Sequence, residues 1–313
     1  MLVLSRAEVE TLLDLEALVD ALAEAFVDLT EGRASMPQRV AAFSGHGLLG
    51  VMPAYLPSAN MLETKLVTLF ERNAGTDLPT HQAAIAVFDP ERGAMTALMD
   101  GTYITATRTA AGSALSARLL AREDARVLAI CGTGVQARTH ARAVSRVRPI
   151  EEIRIAGRDR AKVDALAAEV GGKPAESFED AVRGADIVCA TTHSPEPVIR
   201  RAWLAPGAHV TSVGINPDGS ELEDAAVGDA SVFVESRDAV LAPFPAGAND
   251  LRGLDPARLT ELGEVLNGTR PGRTSAEQVT VYKSVGVGVM DAAAAALVLG
   301  AAAERGAGIQ VEL

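Results

Sequence analysis

With 313 residues, 48% of them apolar, the chain is long enough to bury one large core or two ordinary ones. Its formal charge of -12 argues against a nucleic acid or an anionic membrane as partner, since either needs a face rich in Lys and Arg. Small soluble ligands are the expected partners.

The opening, MLVLSRAEVE, carries no basic stretch and turns polar after four residues, which is not the pattern of a signal peptide, so a cytoplasmic protein is expected. Residues 2–4 read as a short strand. Ser5 and Glu8 then form a capping box ahead of a helix, and a second helix follows Asp14 with Leu18, Leu22, Ala25, Phe26 and Leu29 at helical spacing, ending near Gly32. Between residues 36 and 100 the segments LLGVMPAY, ETKLVTLFE, HQAAIAVFDP and GAMTALMDG read as successive strands, with a hairpin turn at residues 89–93. Residues 102–121 read as a long Ala-rich helix. Residues 284–303 are long enough to span a bilayer, but Asp291 interrupts them and their Ala and Gly content suits a tightly packed buried helix.

From Arg126 onward, apolar strands alternate with amphipathic helices, the pattern of a parallel sheet covered on both faces. The expected fold is therefore α/β: a Rossmann-type doubly wound domain over residues 115–290, and a mixed sheet-and-helix domain over 1–114 joined by 291–313. Cys131 and Cys189 both lie in apolar strand-like runs and read as buried free thiols. Five scattered histidines show no metal-ligand spacing.

The segment AICGTGVQART, residues 129–139, places Gly132, Thr133, Gly134, Val135 and Gln136 directly after an apolar strand and before a helix. Backbone amides and the helix N-terminus can there meet a pyrophosphate, while Ala137 lets the helix pack closely. The motif alone is short, so its context carries the reading. A Walker lysine is missing, which speaks against a nucleoside triphosphate. At the end of the second strand, where NAD enzymes offer a carboxylate to the ribose, the chain reads Ala156, Gly157, Arg158, Asp159, Arg160. Gly157 stands at the acid position, and Arg158 and Arg160 suit a 2'-phosphate, so NADP(H) is the expected cofactor; Asp159 keeps NAD(H) as the alternative.

LLGVMPAY, TKLVTLFE, PTHQA, LMDG, ITATRTAA, GTGVQA, PGAHVTSVG, ELGEV and TVYKSVG, in this order and spacing, resemble the ornithine cyclodeaminase/mu-crystallin family over nearly the whole chain, and within it the mu-crystallin (ketimine reductase) side. The resemblance implies a homodimer built by the N-terminal domain. It also implies that Arg39, Lys65 and Arg108 bind a substrate carboxylate, chemistry that guanidinium and ammonium groups suit. Lys65 and His81 are the candidates for proton donor to the substrate. TVYKSVG resembles the segment that approaches the nicotinamide, which makes Ser284 a candidate cofactor residue; Lys283 beside it reads as a surface charge.

Departures from the family pattern bear on the chemistry. Cyclodeaminase members carry a glutamate where Gly50 stands here, and an aspartate where Ile215 and Asn216 fall in VGINPDGSEL, with Asp218 as a nearby substitute. Without those acids the simplest chemistry is hydride transfer: an NADPH-dependent imine (ketimine) reductase acting on a small cyclic or open alpha-imino acid. The rivals are an alanine-type amino-acid dehydrogenase, an ornithine cyclodeaminase, and a non-catalytic NADP-binding protein. Val51, Met52 and Tyr55 are candidate pocket-lining residues.

Overall fold

A computed structural model describes residues 1–312 and separates them into two compact units: Met1–Arg108 together with the stretch from Val287 onward, and Thr109–Gly286. The first unit opens with β1 (Leu2–Leu4) and α1 (Arg6–Leu12). The Ser5 hydroxyl accepts from the Glu8 amide, and the Glu8 carboxylate accepts from the Ser5 amide at 2.8 Å, so both free amides at the helix start are satisfied. Asp14 caps α2 (Leu15–Thr30) by accepting from the Ala17 amide at 2.8 Å, and the helix buries Leu18, Leu22, Ala25 and Phe26 on one stripe.

Four long strands follow a short one: β2 (Val40–Phe43), β3 (Leu48–Leu56), β4 (Met61–Leu69), β5 (His81–Phe88) and β6 (Met95–Asp100), each antiparallel to the one before. In β3 the buried positions are Gly50, Met52, Ala54 and Leu56; in β4 they are Met61, Glu63, Lys65 and Val67. Strand geometry sends alternate side chains to opposite faces, so these residues share the inner face. Two ionisable groups on the buried face of one strand carry a desolvation cost that demands compensation. Val51 and Tyr55 lie on the opposite, half-exposed face, which removes them from the Lys65 side; only Met52 of the three expected pocket residues shares it.

α3 (Gly101–Leu120) leads into the second unit. There β7 (Val127–Cys131), α4 (Val135–Val147), β8 (Glu152–Ala156), α5 (Arg160–Val170), β9 (Lys173–Pro174), α6 (Phe178–Val182), β10 (Ile187–Ala190), β11 (His209–Ser212), α7 (Asp224–Gly228), β12 (Ser231–Val234), α8 (Arg237–Val240), β13 (Leu259–Glu261), α9 (Leu262–Leu266) and β14 (Thr280–Lys283) follow in turn. The strands form a sheet in the order β13-β12-β14-β11-β10-β7-β8-β9, with every neighbouring pair parallel. From β7 the chain proceeds outward through β8 and β9, then returns to the other side at β10. That reversal makes the carboxyl ends of β7 and β10 the place where an open α/β sheet binds its ligand. Cys131 and Cys189 are free and fully buried on these strands.

The chain rejoins the first unit with α10 (Gly288–Arg305) and β15 (Ile309–Gln310), completing a seven-stranded sheet ordered β15-β1-β6-β5-β4-β3-β2. α10 packs on β3, β4 and α2. Its first turn lies very near the sheet: a Cβ at Gly288 would fall 3.0 Å from the Ala54 Cβ. The Ala-rich segment is thus a buried helix, and its closeness carries Asp291 into the sheet's inner face.

Candidate active site

In the first unit the inner sheet face and α10 assemble a buried cluster of ionisable groups. Lys65 Nζ on β4 lies 2.7 Å from Asp291 Oδ2, and Arg108 Nε on α3 lies 3.2 Å from Asp291 Oδ1. One carboxylate therefore holds two cations, and all three side chains are at most 5% exposed. Asp291 also sits in the first turn of α10, where the helix dipole favours an anion. Burial alone would raise its pKa, but the charges of Arg108 and Lys65 outweigh that and hold it below the usual carboxylate value.

Arg39, half-buried just ahead of β2, exerts its charge on Lys65, His81 and Asp291. Burial, reinforced by the Arg108 charge and only partly countered by Asp291, lowers Lys65 to about 7. His81, the first residue of β5, is lowered by burial and by the charges of Lys65 and Arg108 to about 4. It is a neutral imidazole at physiological pH, which removes the imidazolium as a proton source. Glu63, two residues before Lys65 on the same inner face, is raised well above the usual range by burial and by the Asp291 charge. The cluster thus sets Arg39, Arg108 and a Lys65 lowered to about 7 against Asp291, whose charged form is favoured, and Glu63, whose protonated form is favoured. The surplus is positive, which suits an anionic ligand.

In the second unit, Gly132 follows β7 with φ +133, a conformation open to glycine, and a Cβ there would meet Thr191 Oγ1 at 2.5 Å. The two carboxyl ends at the sheet's reversal therefore touch through this glycine. Around Gly134 the space is open, and this residue begins α4 without a side-chain cap, leaving the first-turn amides directed outward. Gln136 Oε1 is buried without a hydrogen-bond partner. A Cβ at Gly157 would fall 2.8 Å from Thr133 Cγ2, so the usual carboxylate position at the end of β8 is closed by packing. Arg158 is exposed and makes no ion pair among the described residues, whereas Arg160 is paired with Asp164 and Glu176 at 2.9 Å each, and Asp159 caps α5. These features fit a dinucleotide, with Arg158 better placed than Arg160 to receive a further phosphate.

At the carboxyl ends of β11, β12 and β14 the structure corrects the expectation for Lys283. The side chain is fully buried, 2.7 Å from Asp250 Oδ2, and it donates to Ser212 Oγ at 2.9 Å and to the Gly214 carbonyl at 2.6 Å. In a parallel sheet both faces of a strand are covered, so alternation along TVYK offers no solvent side. Glu221 accepts from Ser212 Oγ at 3.0 Å and from the Gly214 amide at 2.7 Å, tying the following loop to the sheet. Ser284 is also buried, and its hydroxyl donates to Glu235 Oε1, so that hydroxyl proton is already committed.

Compared with known proteins, the sequence profile of the ornithine cyclodeaminase/mu-crystallin family matches residues 1–306. The chain belongs to that family. Ketimine reductase mu-crystallin of Mus musculus is 41% identical over 255 residues, covering 80% of each chain. Among solved structures, Thermococcus litoralis delta(1)-pyrroline-2-carboxylate reductase in complex with NADH and L-proline superposes with a TM-score of 0.92 at 32% identity, over 99% of this chain and 100% of that one. An archaeal alanine dehydrogenase dimer with bound NAD also gives 0.92, at 28% identity, over 100% and 99%.

Against the ornithine cyclodeaminase/mu-crystallin pattern, the two departures take physical form. A Cβ at Gly50 would come within 3.2 Å of Val67 Cγ1, so a larger residue there would need the Val67 side chain to give way. The Asn216 side chain is committed to neighbouring loops, donating to the His193 carbonyl after β10 at 3.0 Å and accepting from the Asp218 amide at 2.8 Å. Asp218 is exposed at that turn. Two members of the buried cluster, Asp291 and Glu63, are not among the candidate site residues expected from sequence. Their signals were an acid inside an Ala-rich run and an acid in register with Lys65.

Proposed function

We propose that this protein is an NAD(P)H-dependent imine reductase whose substrate is a small alpha-imino acid. The observation that carries the reading is the excess of cations over ionised carboxylates around Asp291. Arg108 and Arg39 can grip a substrate carboxylate through charge-assisted hydrogen bonds, while Asp291 keeps Arg108 and Lys65 in place. Lys65 is poised near neutrality and strengthens this grip whenever it is protonated.

The dinucleotide is held by Gly132, Thr133, Gly134, Val135 and Gln136, with Arg158 on a 2'-phosphate and Arg160 in support; NADPH is therefore the preferred form and NADH the alternative. Bound reduced nicotinamide supplies a hydride. The clamp fixes the carboxylate beside the C=N bond, which sets the imine carbon's orientation and removes the entropy of finding it. The similarity to ketimine reductase mu-crystallin and to delta(1)-pyrroline-2-carboxylate reductase supports this reading. Oxidation of NADPH by delta-1-pyrroline-2-carboxylate tests it.

The alanine dehydrogenase likeness supports a second reading in which ammonia and pyruvate are the substrates. Reductive amination of pyruvate distinguishes it from reduction of a preformed imine. The same likeness, to a dimer, supports a homodimer. An apolar row crosses the outer sheet face from Val40 (62% exposed) through Val51 to Leu66 and Ala84, with Leu49 beside it, and a second copy covering this row fits its exposure. None of the described helices is long and apolar enough to cross a membrane, and the two unpaired buried thiols suit the cytoplasm.

A further inference from the structure

Hydride addition to a neutral imine leaves a nitrogen that needs a proton, and neither candidate from sequence suits that task. His81 is neutral, and the Lys65 ammonium is bound to Asp291 at 2.7 Å while serving the carboxylate clamp. Resting on the imine-reductase reading, we propose that Glu63 is the proton donor to the imine nitrogen.

Three observations carry this. Glu63 and Lys65 are successive inward residues of β4, so their Cα atoms stand roughly 7 Å apart on one face. In an alpha-imino acid one carbon separates the nitrogen from the carboxylate carbon, so whatever serves the nitrogen must adjoin the clamp. Glu63 does. Both of its carboxyl oxygens are buried without a hydrogen-bond partner among the described residues, and the residue is 1% exposed. A buried carboxyl left unsatisfied costs stability, and such a group in a native protein calls for an explanation. A ligand nitrogen supplies one. Finally, Asp291 and Glu63 divide the roles of a carboxyl pair: Asp291 is ionised by its two cations, and Glu63 keeps its proton because of burial and that neighbouring negative charge.

The step balances. As the imine carbon accepts hydride, the C=N electron pair moves to nitrogen and takes the Glu63 proton; the N–H bond forms and the carboxyl O–H bond breaks. The glutamate anion left behind is stabilised by Lys65 and Arg108, whose charges already pull its pKa down. Solvent restores the proton after product leaves.

The experiment compares two substrates at mildly alkaline pH: delta-1-pyrroline-2-carboxylate, which arrives neutral, and its N-methyl iminium analogue, which carries a permanent charge and needs no proton. Glu63→Gln keeps the shape and hydrogen-bonding capacity but has no acidic proton, and a thermal melt checks that it folds as wild type does. The ratio of kcat on the neutral imine to kcat on the iminium should fall about 100-fold or more in Glu63→Gln, the usual worth of a general acid, while KM for the iminium stays close to wild type. Glu63→Asp should recover part of the ratio. An unchanged ratio, whether both rates hold or both fall together, overturns the assignment to Glu63 alone. Failure of the wild-type enzyme on both substrates overturns the reductase reading and this proposal with it.

Discussion

Lys65 and Asp291 meet at 2.7 Å between a strand and a helix that lie more than two hundred residues apart in sequence, and both are essentially inaccessible to solvent. Among the described residues Asp291 is the carboxylate that pairs with both Lys65 and Arg108, so its removal leaves the two cations without their counter-charge. Asp291→Asn is expected to destabilise the protein by about 3–5 kcal/mol, the usual cost of breaking a buried ion pair from one side. Chemical denaturation checks this. A change below about 1 kcal/mol would mean that water, rather than Asp291, balances the cations.

Arg108→Ala should leave NADPH binding unchanged, because the glycine cradle belongs to the other unit, yet lower kcat/KM about 100-fold. Arg108→Lys should restore little, since an ammonium has no planar fork for a carboxylate. Cofactor fluorescence titration alongside steady-state kinetics measures the two effects separately.

Lys65 gives the pH dependence. Its pKa is lowered to about 7, so the clamp is fully charged below that value and loses a charge above it. With the substrate carboxylate already ionised throughout, kcat/KM is expected to fall as pH rises through about 7. Arginine stays protonated over this range, so Lys65→Arg should lose that descending limb even if its overall rate drops. A profile of kcat/KM against pH for both proteins provides the check.

For the cofactor, Arg158→Ala is expected to weaken NADPH about 10- to 100-fold and to leave NADH nearly unchanged. Arg160→Ala should do much less, because Arg160 already pairs with Asp164 and Glu176. Dissociation constants for both nucleotides decide between the two arginines.

Stability should decline in mild acid. His140 and His209 are fully buried, and burial lowers them from 6.5 to about 4 and about 3. Between those values and 6.5 the unfolded chain binds protons that the folded chain refuses, so each histidine removes about 1.4 kcal/mol per pH unit as pH falls below 6.5. His140→Gln should flatten the dependence of unfolding free energy on pH between 6.5 and 4.

Much of the fold is legible because its signals are local. Ser5 with Glu8, and Asp14, announce helix starts, and Gly132 follows an apolar strand, all within a few residues of the structure they direct. Lys65 and Arg108 stand out because each interrupts an apolar run. Lys283 misleads for the opposite reason: a lysine ending a four-residue strand looks like a solvent contact, and its partner Asp250 comes from a distant loop. Asp291 was legible as an anomaly but not as the counter-charge of Lys65, since that pairing exists only once α10 settles on β4. Glu63 was legible in principle, because alternation along MLETKLV puts it on Lys65's face.

The most direct test of the account is the absorbance of reduced nicotinamide when purified protein meets delta-1-pyrroline-2-carboxylate or delta-1-piperideine-2-carboxylate, with NADPH compared against NADH. The account predicts rapid oxidation, faster with NADPH. No oxidation with either nucleotide, on either imino acid, would contradict it.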